Sequence, residues 1–215
     1  MGTKVTSEDI FDELFERYPC LWACEEQIRK TFDLLSDVFD NHGKLYIAGN
    51  GGSASDSEHI VGELMKPFKI LRKVDEGFSN SLRKLFPGDG DIIADNLTGG
   101  LGAISLPSFV SLSSAIINDM DAAFVYAQPL SVLGLSGDAF LGISTSGNSL
   151  NVTYAAMTAR AKGMYSIGLS GESTCKLDEI CDVVIHAPAR ETYQVQELHL
   201  PIYHAICAML EARYW

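Results

Sequence analysis

Short apolar runs alternate with longer stretches of helical periodicity through most of this chain. The apolar runs near 44–49, 103–108, 137–143, 163–169 and 182–187 read as strands, each short and bounded by Gly, Ser, Asp or Asn. Helices are predicted near 53–66, 109–118, 148–162, 173–180 and 192–213. Strands that stay apolar at every position are covered on both faces, and strands alternating with helices pair in parallel. The pattern therefore predicts an α/β fold with a parallel sheet between two helical layers.

Two further helices precede the first strand. Ser7-Glu8-Asp9 is a helix start, followed at helical spacing by Ile10, Leu14 and Phe15. Tyr18-Pro19 breaks it. A second helix is predicted from about Leu21 to Phe39, with Trp22, Ile28, Phe32, Leu35 and Val38 apolar. It ends at Asn41-His42-Gly43, which makes His42 a helix-end residue. The apolar residues of this pair exceed what an appendage can hide against one sheet, which predicts subunit association.

Residues 67–102 depart from the alternation. They carry Lys69, Arg72, Lys73, Arg83 and Lys84, then Pro87-Gly88-Asp89-Gly90 and Thr98-Gly99-Gly100. A connection of this length is either a solvated excursion with some helix of its own or a flap over the strand ends. The chain as a whole reads as one domain.

Composition narrows the function. With 215 residues, 47% hydrophobic and 20% charged, the chain can bury a substantial core. A net charge of −12 excludes a protein devoted to nucleic acid. It leaves room for a local phosphate site, because helix N-termini supply positive potential without cationic side chains. No run reaches the length of a membrane helix, and no signal-peptide core precedes the first helix. Residues 1–6 formally fit an N-myristoylation pattern, but the match is short and nothing else points to a membrane. Five cysteines without a secretory context predict reduced thiols and a cytoplasmic protein. Cys20 and Cys24 read as core residues of a helix rather than metal ligands.

The chemistry concentrates at two strand ends. The first strand runs into Gly49-Asn50-Gly51-Gly52-Ser53 and then a helix holding His59 and Glu63. The third runs into Ser144-Thr145-Ser146-Gly147-Asn148-Ser149 and another helix. Each turn offers backbone N–H groups and the positive end of a helix to an anion, and ligands of such folds sit at these strand ends. His59 and Glu63, four apart, share a helix face. On the closing helix Gln196, His199 and His204 stand among apolar residues, and Gln196 and His204 reach adjoining regions of one pocket. Two His, a Glu and a Gln converging beside a phosphate site suit zinc or a related divalent ion.

These residues carry a specific resemblance. GNGGSASDSEHIVGEL at 49–64, Asn118-Asp119, GDAFLGISTSGNS at 137–149 and QELHLPIYH at 196–204 resemble the sugar isomerase (SIS) family, and within it the sedoheptulose-7-phosphate isomerases. The resemblance implies a flavodoxin-like, three-layer αβα fold with a five-stranded parallel sheet and an N-terminal helical pair. It further implies a homotetramer with sites at subunit contacts. It matches Ser144, Thr145, Ser146 and Ser149 to the phosphate loop, and Asn50, Gly51, Ser53 and Gln196 to substrate-binding positions. Glu63 and His204 match the acid–base pair of an aldose–ketose isomerisation through an enediol. His59, Glu63, Gln196 and His204 match the zinc ligands of the metal-bearing members.

The chain also departs from the family pattern. Phe109 stands where the isomerases carry an Asp nine residues before the Asn-Asp pair, and Pro201 interrupts the closing helix. With the long 67–102 segment, both point to a changed sugar rather than a lost reaction. The competing reading is a non-catalytic SIS module like the replication-initiator-associating protein, which lacks the Glu and the final His retained here.

Overall fold

A computed structural model describes residues 5–215. The positions 1–4 of the myristoylation match lie outside them. Five parallel strands form one sheet in the order β2-β1-β3-β4-β5, with β1 Leu45–Gly49, β2 Ala103–Ser105, β3 Ala139–Ile143, β4 Tyr165–Gly171 and β5 Val183–Ala187. β3 lies at the centre, paired to β1 from Leu45↔Ala139 to Gly49↔Ile143 and to β4 from Ala139↔Tyr165 to Ile143↔Leu169.

Alternation within the strands divides the core into two layers. Leu45, Ile47, Leu141, Ile143, Ile167 and Leu169 face one side, covered by α1 Ser7–Arg17, α2 Glu25–Asp40, α3 Gly52–Met65 and α10 Thr192–Tyr214. Tyr46, Ala48 and Phe140 face the other, covered chiefly by α6 Val110–Asp119, α7 Ala127–Leu133 and α8 Leu150–Ala161. Ile47, Phe140, Ile143 and Ile167 are wholly buried, each stabilising by roughly 1.5–3 kcal/mol. The helix periodicity predicted from the sequence is thus satisfied against both faces of the sheet.

The N-terminal helices differ in detail from expectation. Pro19 opens a 3-10 turn over Pro19–Cys24, so α2 begins at Glu25 rather than near Leu21. Ile10, Leu14, Ile28 and Leu35 are all buried within this chain, because α1 packs on α10 and α2 on the sheet. Trp22 is exposed and stacks on Phe15 at 4.3 Å. Of the apolar residues that predicted association, these four are covered within the chain, Phe32 is half-buried and Trp22 is exposed. His42 does end α2, in the left-handed region at φ 59. All five cysteines are free; Cys24 is buried and its thiol pushed up to about 12 by burial, while Cys20 is exposed.

β2 stops at Ser105 because Pro107 has no N–H to continue a ladder, and a 3-10 turn over Leu106–Ser108 follows. The predicted 173–180 helix shrinks to α9 Leu177–Ile180, and α7 occupies a stretch assigned no element from the sequence. Pro201 lies buried inside α10 without ending it.

Residues 67–102 hold α4 Glu76–Leu85 and α5 Asp89–Asn96, which pack chiefly against each other. Arg83 on α4 bonds Asp91 at 3.1 Å and Asp95 at 2.7 Å across that hairpin. Its root is fixed by Arg72, fully buried, which donates to Glu211 on α10 at 2.8 Å and to the backbone carbonyls of Leu64 and Glu63 at 2.6 and 2.8 Å. Glu211 also accepts from the backbone N–H groups of Phe68 and Lys69.

Candidate active site

Each of the two turns sits where its strand meets a helix at the carboxyl edge of the sheet. After β1, Gly51 takes φ 57, the left-handed region that favours glycine, and α3 starts at Gly52. Asn50 and Gly51 are exposed, whereas Ser53 is buried beneath the turn. The Asn50 amide is held on two sides. It exchanges hydrogen bonds with the Asn151 amide at 3.0 and 2.9 Å and accepts from the Tyr126 hydroxyl at 3.1 Å. Tyr126 also donates to the Gly49 carbonyl at 2.6 Å.

After β3, the hydroxyl groups of Ser144, Ser146 and Ser149 face one another. The Ser144 Oγ lies 3.0 Å from that of Ser149 and 3.5 Å from that of Ser146. Gly147 makes the turn at φ 63, and a Cβ there would collide with the Cys175 sulfur. Ser149 is the N-cap of α8, which begins one residue beyond it, and its side chain turns to Ser144 instead of capping the helix. Thr145 is half-buried, with its carbonyl fixed by the Gly171 N–H at 3.1 Å. The loop thus gathers three hydroxyls at a helix N-terminus, an arrangement suited to an anion.

The acid and the histidines meet where α3 and α10 pack side by side. His59 Nε2 lies 3.2 Å from Glu63 Oε1 and 3.3 Å from His204 Nε2. Glu63 is buried, and Lys66 reaches its other oxygen at 3.5 Å. Burial, and then the neighbouring His59, hold the His204 imidazole below the ordinary histidine value, against the pull of Glu63. His204 also lines a groove of about 390 Å³ between α1 and α10, beside Arg17, Tyr18, Phe68 and Lys69. Only the first residues of the 67–102 segment reach this groove.

His59, Glu63 and His204 are brought together as predicted, and Gln196 is placed differently. Its amide packs on Gly52, where a Cβ would come within 2.8 Å of Gln196 Nε2. His59 lies two helical turns further along α3, roughly 10 Å of rise. Gln196 therefore belongs with the Gly-rich turn. His199 is fully buried, with Nε2 on the Ser170 carbonyl at 3.2 Å, and has no place in the cluster.

Two imidazoles and a carboxylate are donor types that a divalent cation accepts. Ligands at 2.0–2.1 Å on a tetrahedral ion stand about 3.3–3.4 Å apart, and the two spacings around His59 Nε2 are 3.2 and 3.3 Å. Among the described residues, no group of three or more His, Cys, Asp or Glu is placed to hold a metal ion.

Sequence reasoning missed Tyr126, Asn151, Asp56 and Tyr203. Asp56 was accessible, since Asp56, His59 and Glu63 form a polar stripe at spacings of three and four on one face of α3. Tyr126 gave no local signal. Phe109 is half-buried and packs on the second core layer beneath α6.

A parallel sheet with a hydroxyl-rich turn, a neighbouring Gly-rich turn and an acid–histidine cluster defines the SIS class of phosphosugar proteins. No family model matches the chain. It is 34% identical over 212 residues to a phosphoheptose isomerase of Helicobacter hepaticus, with 99% of this chain and 94% of that protein covered. Phosphoheptose isomerase 2 of Campylobacter jejuni is 36% identical, with 87% and 85% covered. The solved structure of phosphoheptose isomerase GmhA from Neisseria gonorrhoeae matches with a TM-score of 0.72 at 28% identity, covering 94% of each chain. The chain belongs to the phosphoheptose isomerase family and is an enzyme of that kind, an isomerase acting on a phosphosugar.

Proposed function

We propose that the enzyme interconverts an aldose phosphate and a ketose phosphate through an enediol, with sedoheptulose 7-phosphate or a closely related sugar as substrate. The supporting observation is the placement of Glu63 and His204 beside His59, within 3.3 Å of its Nε2, where α3 and α10 pack side by side. Ser144, Thr145, Ser146 and Ser149 bind the phosphate and hold the sugar chain. Asn50, Gly51, Ser53 and Gln196 form the wall along the sugar. Glu63 takes the proton from one carbon of the C1–C2 pair, and His204 serves the oxygen on the opposite side.

His59, Glu63 and His204 would hold zinc or a related divalent ion, while Gln196, held at the Gly-rich turn, is too far along α3 to serve as a fourth donor. Bound there, such an ion would supply electrostatic stabilisation as negative charge develops on the substrate. The half-buried Phe109 removes the carboxylate that would meet a sugar hydroxyl, which favours a sugar differing there from the family's heptose. The enzyme acts as a cytoplasmic homotetramer with sites at subunit contacts. Exposed Val110, Leu112 and Ile117 on α6, with Met120 just past its end, supply apolar surface for such contacts.

The test is a screen of five- to seven-carbon aldose and ketose phosphates, with and without zinc, repeated with Glu63→Gln. Turnover of one substrate, reduced by about 10²–10⁴ in Glu63→Gln with phosphate binding kept, supports the mechanism. Equal turnover by the variant refutes it.

A further inference from the structure

A second polar cluster lies behind the hydroxyl loop, on elements the proposed reaction does not use. His186 on β5 is bracketed by two oxygen acceptors. Its Nε2 lies 2.8 Å from Asp178 Oδ1 on α9, and its Nδ1 lies 2.8 Å from the Gly171 carbonyl at the end of β4. The Ser170 hydroxyl stands 3.1 Å from the same Nδ1 and donates to the same carbonyl at 3.2 Å. With an acceptor facing each ring nitrogen, the ring bonds both by donating at both ends, as an imidazolium does.

Ser170, His186 and Asp178 are the residue types of a nucleophilic triad, but their placement rules that use out. Ser170 is 1% exposed and its O–H is spent on the Gly171 carbonyl, so no substrate reaches it.

What the ring joins instead are the two pieces of backbone that hold the hydroxyl loop. The Gly171 N–H donates to the Thr145 carbonyl at 3.1 Å. The Leu177 N–H donates to the Gly147 carbonyl at 3.3 Å, and the Lys176 N–H to Asn148 Oδ1 at 2.9 Å. Asp178 spends its other oxygen on the Cys175 N–H at 2.7 Å, and the Cys175 side chain lies against Gly147. Leu177 and Ile180 seat α9 in the second core layer, but apolar burial is non-directional. The directional bonds through His186 set where the N–H groups of residues 176 and 177 fall. Residues 172–174, which connect the two pieces, are exposed.

We propose that His186, with Asp178, is a positioning residue for the phosphate loop: it clamps the 172–178 segment to the end of β4 and so fixes the N–H groups that hold residues 145–148 in shape. The clamp rests on the proposed function only in taking the hydroxyl loop as the phosphate site.

The experiment titrates sedoheptulose 7-phosphate into the full chain by calorimetry, for the parent, His186→Ala, Asp178→Ala and the double variant. Both side chains are partly exposed, so either truncation leaves the core intact, and one variant suffices if the other folds poorly. Each single change should weaken binding about tenfold at unchanged stoichiometry, because the loop loses its preset geometry. The double variant should be no weaker than the singles, since the two residues act as one link. Hydrogen exchange of peptides spanning 144–149 and 171–178 should quicken in all three variants. A merely structural defect reduces the competent fraction, read as a lower stoichiometry at unchanged affinity, and that result overturns the inference. So do unchanged affinity in both single variants and losses that add in the double. Quickened exchange with a parent that binds no sedoheptulose 7-phosphate leaves the clamp standing and removes the proposed phosphate site instead.

Discussion

Replacing Arg72 with Met should destabilise the protein by about 3–5 kcal/mol, the range for breaking a buried ion pair by removing one partner. Met keeps the length of the Arg stem and deletes only the guanidinium. Three hydrogen bonds go with it, one to Glu211 and two to the carbonyls of Leu64 and Glu63. At roughly 1.5–3 kcal/mol for each bond to a charged group the gross loss would be larger. The Phe68 and Lys69 N–H groups still satisfy part of the Glu211 carboxylate, which brings the figure down.

The pH dependence carries an independent sign. Burial alone would raise the Glu211 carboxyl, but the two backbone N–H bonds and Arg72 outweigh it and hold the group below its ordinary 4.5. A folded value below the unfolded one means the unfolded chain binds the proton more readily. The contribution is therefore complete above about pH 4.5 and is lost as pH falls through the folded value. Part of that acid-side loss should be missing from Arg72→Met. Urea titration at fixed protein concentration reads both effects, as a shift in midpoint at constant slope. A change below about 1 kcal/mol at neutral pH would show that the clamp contributes little and that the 67–102 root is held by other contacts.

Other consequences are accessible by simpler measurements. Replacing Ser144 and Ser146 together by Ala should weaken phosphosugar binding at least tenfold by calorimetry, since two bonds to a charged group are lost at roughly 1.5–3 kcal/mol each; unchanged affinity would move the phosphate elsewhere. Light scattering at micromolar concentration should give a tetramer, and a monomer would remove the shared-site arrangement. Gly147→Ala should perturb the phosphate loop through both the φ of 63 and the clash with Cys175, visible as weaker phosphosugar binding; full retention of affinity would show that the loop tolerates repacking.

The strands and most helices were legible because each is specified by neighbours in sequence. An apolar run buried on both faces and a helix with one apolar stripe announce themselves locally. His59 and Glu63 were legible for the same reason, as a pair on one turn. What escaped is set by long-range packing. Arg72 stood in the sequence as one of five cations of 67–102 with nothing to set it apart, and its partner lies 139 residues away. Tyr126 contacts Gly49 across 77 residues. Trp22 shows the converse error: its hydrophobicity fits a helix face, but the 3-10 turn after Pro19 rotates it outward. Gln196 was placed by helix geometry on the correct helix, yet two turns of rise along α3 separate its neighbour Gly52 from His59.

The paired amides of Asn50 and Asn151 have a thermodynamic consequence at the sugar wall. Asn50 Oδ1 accepts from both Asn151 and Tyr126, while its Nδ2 donates once to Asn151. Rotating the amide by half a turn would set N–H against N–H and leave the tyrosine proton without its Oδ1 acceptor. The group is therefore frozen in one orientation, and its second N–H, with no protein acceptor among the described residues, points in a direction fixed before any ligand arrives. A sugar hydroxyl meeting it forms a bond without the ordering entropy that a free asparagine would lose. On the proposed function, the wall would select by the position of an oxygen, and a sugar with that oxygen displaced would gain nothing from the encounter.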